Sequence, residues 1–286
     1  WTVEKTSSTS ATLSIPPDSE AINQILEELR MVLDATPPDA IPQVLQGIAA
    51  NYDIDAERLV RAWQQINTGT TGYAGLTEKM ARSEEYAALS EAKNDDPIGH
   101  IVPQFENTVL DPPAALAPYF DIIGAVSRLR EVRALAGFSR IEPYPVSAEN
   151  VAQAIADGKV SPLSKTSRNW LPGAEIRGEG IFLRFRTDAI DEWATKQGIA
   201  LAQRIAEIEA RSQAVADKRG YTRDYAITTR LLVVHAFAHA LIRQISVECG
   251  YSAAALRERL FVSEPEGSRA AENGVLIYTG SPDSEG

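Results

Sequence analysis

The sequence predicts a mixed α/β protein of the α+β kind, rich in helix, with an N-terminal helical subdomain and a C-terminal sheet covered by long helices. Apolar residues recur at helical spacing between 18 and 95 and again between 189 and 247. Residues 174–185 instead alternate as a half-buried strand does. The domain organisation that follows is an extended segment at 1–17, a helical subdomain at 18–95 and an α/β domain at 96–286.

The first third of the chain is predicted to be one strand followed by helices. Leu13 and Ile15 alternate with polar residues, as in a strand. A helix is predicted from Asp18, with Ser19 as its cap and Pro37-Pro38 at its end. Further helices are expected at about 40–50, from 53 or 55 to 66, and at about 75–92.

The remaining chain is predicted to contain both helices and strands. Residues 114–137 place Ile122, Ile123 and Val126 at helical spacing, so we expect a helix there, with a loop at 143–172. The later elements are a strand or hairpin at 174–185, a helix at 189–217 with a buried stripe that includes Trp193 and Ile199, a central apolar helix at 224–247, a short helix at 252–260 and a strand at 275–279.

Charge and composition limit the classes of function. The 286 residues include 39 acidic and 28 basic side chains, and the net charge of -11 opposes indiscriminate binding to nucleic acid. No apolar run approaches about 20 residues, and the first thirty residues lack the basic-then-apolar layout of a secretion signal, so the expected location is the cytoplasm, with no membrane partner. Cys249 is expected to be a small packed side chain. The first residue, Trp1, and the strand so close to the last residue suggest a piece of a larger protein.

His235 and His239 are the first candidate site residues. Because they lie four apart on a predicted helix, both imidazoles project from one face and can share a metal. The zinc-protease motif requires Glu after the first histidine, where this chain has Ala236, and no third ligand lies nearby in sequence. The favoured interpretation is therefore a structural pair of histidines, with no metal and no cofactor in this part of the protein.

Asp283 and Glu285 follow the last predicted strand, a position where α/β proteins place functional acids. Two carboxylates there can hold a divalent ion for a nuclease, while the alternative is a solvated turn. Gly178 and Gly180 lie within a strand pattern without the loop and helix that bind phosphate, and no phosphate-loop lysine motif is present. The chain is therefore not predicted to be an ATPase.

A group of arginines is predicted at and beyond the end of the 114–137 helix. Cations there complement the helix dipole without needing a partner, but they can also contact phosphates or an acidic protein surface. The candidate contacts to DNA or to a protein partner are Arg128, Arg130, Arg133 and Arg140.

Several motifs together resemble the DrmB family, the helicase-associated subunits of the bacterial DISARM anti-phage system. The resemblance covers the chain from about residue 120 to the end. Its segments are Arg128-Leu-Arg-Glu-Val-Arg-Ala-Leu-Ala-Gly-Phe-Ser-Arg140, Ile176-Arg-Gly-Glu-Gly-Ile-Phe-Leu183, His235-Ala-Phe-Ala-His-Ala-Leu-Ile-Arg243, Glu248-Cys-Gly-Tyr-Ser252 and Gly274-Val-Leu-Ile-Tyr-Thr-Gly-Ser-Pro-Asp-Ser-Glu-Gly286.

The resemblance implies a non-catalytic accessory subunit that docks on a DNA helicase of the DrmA type and helps it engage phage DNA. ATP hydrolysis then belongs to the helicase, and DNA is contacted through the complex. The family usually carries cysteine-rich zinc modules on either side of this region, so the resemblance leaves the presence of zinc in such parts of the parent protein open. His235, His239, Asp283 and Glu285 lie in its motifs with no defined role. The alternatives are a metal-dependent nuclease using Asp283 and Glu285, and a stand-alone DNA-binding module using the arginines.

Overall fold

The structure is a computed structural model, and its fold is mixed α/β, as predicted. It describes residues 7–13, 19–52, 56, 59–60, 62–64, 78–91, 93–94, 105–139, 144, 150–166, 171–223, 225–252, 255–265 and 271–279. The helices are α1 (Ser19–Glu28), α2 (Arg30–Asp34), α3 (Ile41–Tyr52), α4 (Glu78–Ser90), α5 (Val151–Ala156), α6 (Thr187–Arg219) and α7 (Thr229–Cys249). The strands are β1 (Ser7–Leu13), β2 (Lys93–Asn94), β3 (Glu106–Leu110), β4 (Phe120–Ser139), β5 (Ser161–Pro162), β6 (Gly173–Phe185), β7 (Leu256–Ser263) and β8 (Glu272–Thr279).

All eight strands belong to one antiparallel sheet built around β4. The strand order is β2-β3-β4-β6-β8-β7, and β1 and β5 also pair with β4. Because β4 is 20 residues long, it pairs with β3 and β1 along one side and with β6 and β5 along the other. The predicted N-terminal strand is therefore part of the main sheet, and β7 ends the principal path of strands.

The sheet is buried on both faces, and strand β8 shows this most clearly. Leu276 and Tyr278 belong to the core that α4 covers, whereas Val275 and Ile277 pack on the opposite side beneath α7. Successive side chains of a strand point to opposite faces, so burial on both faces requires a continuous apolar run. The strand predicted at 275–279 is confirmed, with three more residues at its start.

The first helices have a hydrophobic core of their own. Leu33, Leu45, Leu59 and Trp63 are almost fully buried in it. Helix α4, which falls within the predicted helical subdomain at 18–95, instead contributes Ala88 and Leu89 to the core of the sheet.

The prediction of a helix at 114–137 is wrong, because residues 120–139 form β4. Ile122 and Val126 pack on the α4 side of the sheet, and Ile123 packs on the α7 side. A strand buried on both faces carries apolar residues in both alternating rows, and such a sequence also satisfies the i, i+3, i+4 pattern of a helix. The β-branched residues favour the extended form, and pairing with β3 and β6 decides it.

Other boundaries also differ from the prediction. The helix expected at 252–260 is β7 from Leu256, which pairs with β8, and the loop expected at 143–172 contains α5 and β5. The stretch 174–185 is one strand, β6, and not a hairpin. Cys249 is exposed, in contrast to the packed side chain expected there.

Two long helices lie on the α7 side of the sheet. Helix α6 is kinked at Gly198, whose φ is 57°, and its predicted buried stripe is wrong in part, since Trp193 and Ile199 are exposed. Helix α7 is long and apolar enough to cross a membrane by length and composition alone. It packs against α6, β7 and β8, and its Phe237 ring also contacts Phe120 of β4 and Phe185 of β6. Val234 and Ala238 are fully buried against the sheet, as in a helix that covers a sheet.

Candidate functional site

Helix α7 carries the two candidate histidines along the margin of its buried face. The Thr228 side chain caps the helix by accepting a hydrogen bond from the Leu231 N–H at 3.2 Å, and Gly250 ends it in the left-handed conformation. Val234 and Ala238 anchor the helix on the sheet. His235 and His239 each follow one of these anchors, so they lie about 100° around the helix from the buried stripe.

Strand β7 supplies the residue that faces this margin. Leu260 and Val262 pack in the core beneath α7, and Glu258 is in the same alternating row of side chains. Arg259 and Phe261 occupy the other row and contact the α4 side of the sheet. Glu258 is therefore the side chain of this strand that reaches the two histidines.

The two imidazoles and the Glu258 carboxylate converge through three atoms. His235 Nε2 lies 2.9 Å from His239 Nε2 and 3.0 Å from Glu258 Oε1, and His239 Nε2 lies 3.7 Å from the same oxygen. The side chains of His235 and His239 are 45% and 59% exposed, whereas that of Glu258 is only 22% exposed. We call these three residues the His–His–Glu cluster.

The composition of the cluster matches a transition-metal site. Imidazole nitrogen and carboxylate oxygen are zinc ligands, and all three ligand atoms lie within 4.8 Å of one another. Sequence reasoning found the histidines but not Glu258. No local pattern links it to them, because it lies on another element that the sequence predicted to be helical.

The candidate arginines do not form a cluster at a helix end. Arg128 and Arg130 lie in β4, where the extended backbone spreads residues 128–133 over about 17 Å, against about 8 Å in a helix. Arg128 is half exposed and its Nε lies 3.5 Å from Glu106 Oε2, while the Arg133 backbone pairs with Ala174. Arg140 lies outside the described residues.

The structure describes the candidate glycines but not the candidate acids. Asp283 and Glu285 lie outside the described residues, so their role stays a prediction. Gly178 and Gly180 lie in β6 as expected, and each faces the backbone of β8. A Cβ added at Gly180 would lie 2.5 Å from the Ile277 carbonyl oxygen, so this glycine permits close strand packing and not phosphate binding.

An ion pair holds the segment that leads into α7 and lowers the pKa of its carboxylate. Arg223, whose side chain is almost fully buried, donates to the Glu209 carboxylate, which also accepts the Ile227 N–H at 2.9 Å. These bonds, first that from Arg223, hold the pKa of Glu209 below its usual value. They join α6 to the segment that leads into α7.

The pKa values of Asp188 and Tyr86 are also perturbed, for structural reasons. Hydrogen bonding from Arg186 lowers the pKa of Asp188 in the first turn of α6. Burial raises the pKa of Tyr86, whose ring packs against Phe182 and Phe261. Asp188 thus belongs to the first turn of α6, and Tyr86 packs against the core of the sheet.

Comparison with known proteins identifies a relative among curated proteins. No family model matches the chain. The chain is 29% identical over 235 residues to the DISARM protein DrmB of Bacillus paralicheniformis, and the alignment covers 81% of this chain. The chain spans 38% of the length of that relative. The match confirms the resemblance found in the sequence motifs: this chain is similar to DrmB over most of its length, and the DrmB family is the one it resembles.

Proposed function

We propose that this chain is part of a non-catalytic accessory subunit in bacterial antiviral defence, which binds a DNA helicase of the DrmA type and helps it engage phage DNA. The similarity to DISARM protein DrmB over 81% of the chain carries this proposal. The proposed location is the cytoplasm, where phage DNA and the helicase meet.

The surface chemistry supports a protein partner in preference to bare DNA. The chain has a net charge of -11, and several described arginines contact carboxylates within the chain. Examples with short contacts are Arg184 with Asp121, Arg230 with Asp191 and Arg259 with Glu85. Paired guanidinium groups release few counterions from DNA, so affinity for free DNA is expected to be low.

Exposed apolar side chains also support a protein partner. Trp193 and Ile199 on α6 are 43% and 76% exposed, and Val247 on α7 is 78% exposed. Large apolar side chains at a surface are typical of protein contacts, and aromatic residues contribute most to such contacts.

Co-purification of the full-length parent with the helicase encoded beside it tests the proposal. We expect a stable 1:1 complex in which ATP hydrolysis belongs to the helicase and DNA binding is stronger than for either partner alone. DNA cleavage by the parent protein alone with added divalent metal, lost on Asp283→Ala, would support the nuclease and refute the accessory role.

A charge reversal separates the accessory role from a stand-alone DNA-binding module. Arg128 is half exposed in β4, and Arg204 in α6 is similarly exposed and provides the matched control. For an accessory subunit, Arg128→Glu and Arg204→Glu both leave assembly with the helicase unchanged. A stand-alone DNA-binding module would instead bind DNA without the helicase, with an affinity that falls steeply with salt. That binding would be lost in Arg128→Glu and kept in Arg204→Glu.

A further inference from the structure

We propose that the His–His–Glu cluster binds one Zn²⁺ ion, with His235, His239 and Glu258 as protein ligands and water in the fourth position. The site joins helix α7 to strand β7. It is distinct from the cysteine-rich zinc modules expected elsewhere in the parent protein, because its donors are two imidazoles and one carboxylate.

The separations among the three donor atoms match tetrahedral zinc. In such a site, with bonds of about 2.0–2.1 Å, neighbouring donors lie about 3.3 Å apart. Here the three separations are 2.9, 3.0 and 3.7 Å. They define a triangle whose corners are about 1.9 Å from a common centre, so an ion about 0.8 Å above its plane lies about 2.05 Å from every donor.

An ion also satisfies these atoms better than protons do. A neutral imidazole nitrogen either carries one hydrogen or offers one lone pair, so a single His235 Nε2–H must choose between His239 and Glu258. Glu258 Oε2 is buried and has no hydrogen-bond partner among the described residues. A buried carboxylate oxygen without a partner is unfavourable, and a bound cation offsets the charge of that carboxylate.

The exposure of the site indicates an open coordination position. Two histidines and one carboxylate are three protein ligands, and zinc sites with three protein ligands keep water in the fourth position. Both histidine side chains are about half exposed, so solvent reaches the side of the ion opposite β7. The carboxylate and imidazole donors favour Zn²⁺ over Mg²⁺ or Ca²⁺, which prefer oxygen ligands alone.

Zinc binding by the purified chain tests the proposal directly. The protein is stripped with EDTA, dialysed against ZnCl₂ and analysed for bound metal, and the affinity is measured by competition with a chromophoric chelator. The Cys249→Ser background removes an exposed thiol that would bind zinc adventitiously. We expect one equivalent of zinc, and visible absorption typical of four-coordinate Co²⁺ when cobalt replaces it.

Ligand variants then locate the ion. His235→Ala, His239→Ala and Glu258→Gln should each weaken zinc binding by at least about 100-fold, because changes to residues that merely support a ligand already weaken it by about 10–100-fold. The controls are His100→Ala, which removes the third histidine of the chain, and Glu248→Gln, which removes an exposed carboxylate of the same helix. Both controls should keep wild-type affinity.

A measurement on the unaltered ligands makes the test independent of variant folding. Zinc at both Nε2 atoms places the remaining proton of each ring on Nδ1, which long-range ¹H–¹⁵N NMR of the imidazoles detects. Absence of stoichiometric zinc, imidazole signals unchanged by zinc, or binding that persists in all three ligand variants would overturn the proposal. The first result would leave the cluster as a hydrogen-bonded trio, and the last would place the ion elsewhere.

Discussion

The ion pair between Arg259 and Glu85 should be a principal support of the edge of the sheet. Arg259 Nε lies 2.5 Å from Glu85 Oε2, and its Nη2 lies 2.9 Å from Oε1, so the guanidinium contacts the carboxylate through two parallel bonds. The two side chains are only 16% and 10% exposed. The pair joins α4 to β7, the strand whose opposite face carries Glu258.

Removing one partner should destabilise the fold far more than removing both. Arg259→Met leaves a buried carboxylate without its cation, a change that costs about 3–5 kcal/mol in buried pairs. Because some water reaches both groups, we expect about 3 kcal/mol. The double variant Glu85→Leu with Arg259→Met removes both charges and should lie within about 1 kcal/mol of wild type.

Urea unfolding followed by far-ultraviolet circular dichroism measures these free energies, and the double-mutant cycle isolates the pair. The exposed pair between Arg204 and Glu207, with donor and acceptor 3.2 Å apart, is the matched control. Arg204→Met should change the free energy of unfolding by less than about 0.5 kcal/mol. If Arg259→Met costs no more than Arg204→Met, the pair is hydrated and the reasoning from burial is wrong.

Three further predictions concern an ion pair, a helix cap and two glycines. The pKa of Glu209 is lowered in the folded state, so its hydrogen bonds stabilise the protein above a pH of about 4.5, and this stabilisation is lost as the pH falls. The variant Glu209→Gln should therefore lose less stability than the wild type when unfolding is measured at decreasing pH. Thr228→Ala removes the cap of α7 and should cost about 1 kcal/mol in urea unfolding, whereas an unchanged midpoint would show that the cap contributes nothing. Gly180→Ala should lower the free energy of unfolding by about 2–3 kcal/mol, because the added Cβ would meet the β8 backbone. In Gly47→Ala, within helix α3, the added Cβ meets no atom within 4 Å, so this variant should raise the free energy of unfolding by about 0.5–1 kcal/mol. Equal effects of the two glycine substitutions would contradict the close packing of β6 on β8.

Elements with one buried face were the most predictable from the sequence. Helix α3 and the start of α6 carry apolar residues at helical spacing. Strand β6 was also identified, because Gly178 and Gly180 alternate with polar residues in its first half, although Phe182 and Leu183 farther along pack on opposite faces of the sheet. Strand β4 was mistaken for a helix because both of its faces are covered, which removes the alternation that identifies a strand. Strand β7 was missed because its identity depends on pairing with β8, far along the chain.

The sequence by itself determined the mixed α/β class, the acidic surface, the motifs shared with the DrmB family, and the placement of His235 and His239 on one helical face. All of these depend on composition or on spacing within one element. Only the tertiary structure decided which residue of another element lies beside these two histidines. Glu258 reaches the histidines because α7 packs over β7, and contact between separate elements depends on the packing of the whole sheet. Local periodicity carries no information about such contacts, which is why the third member of the cluster was absent from the prediction.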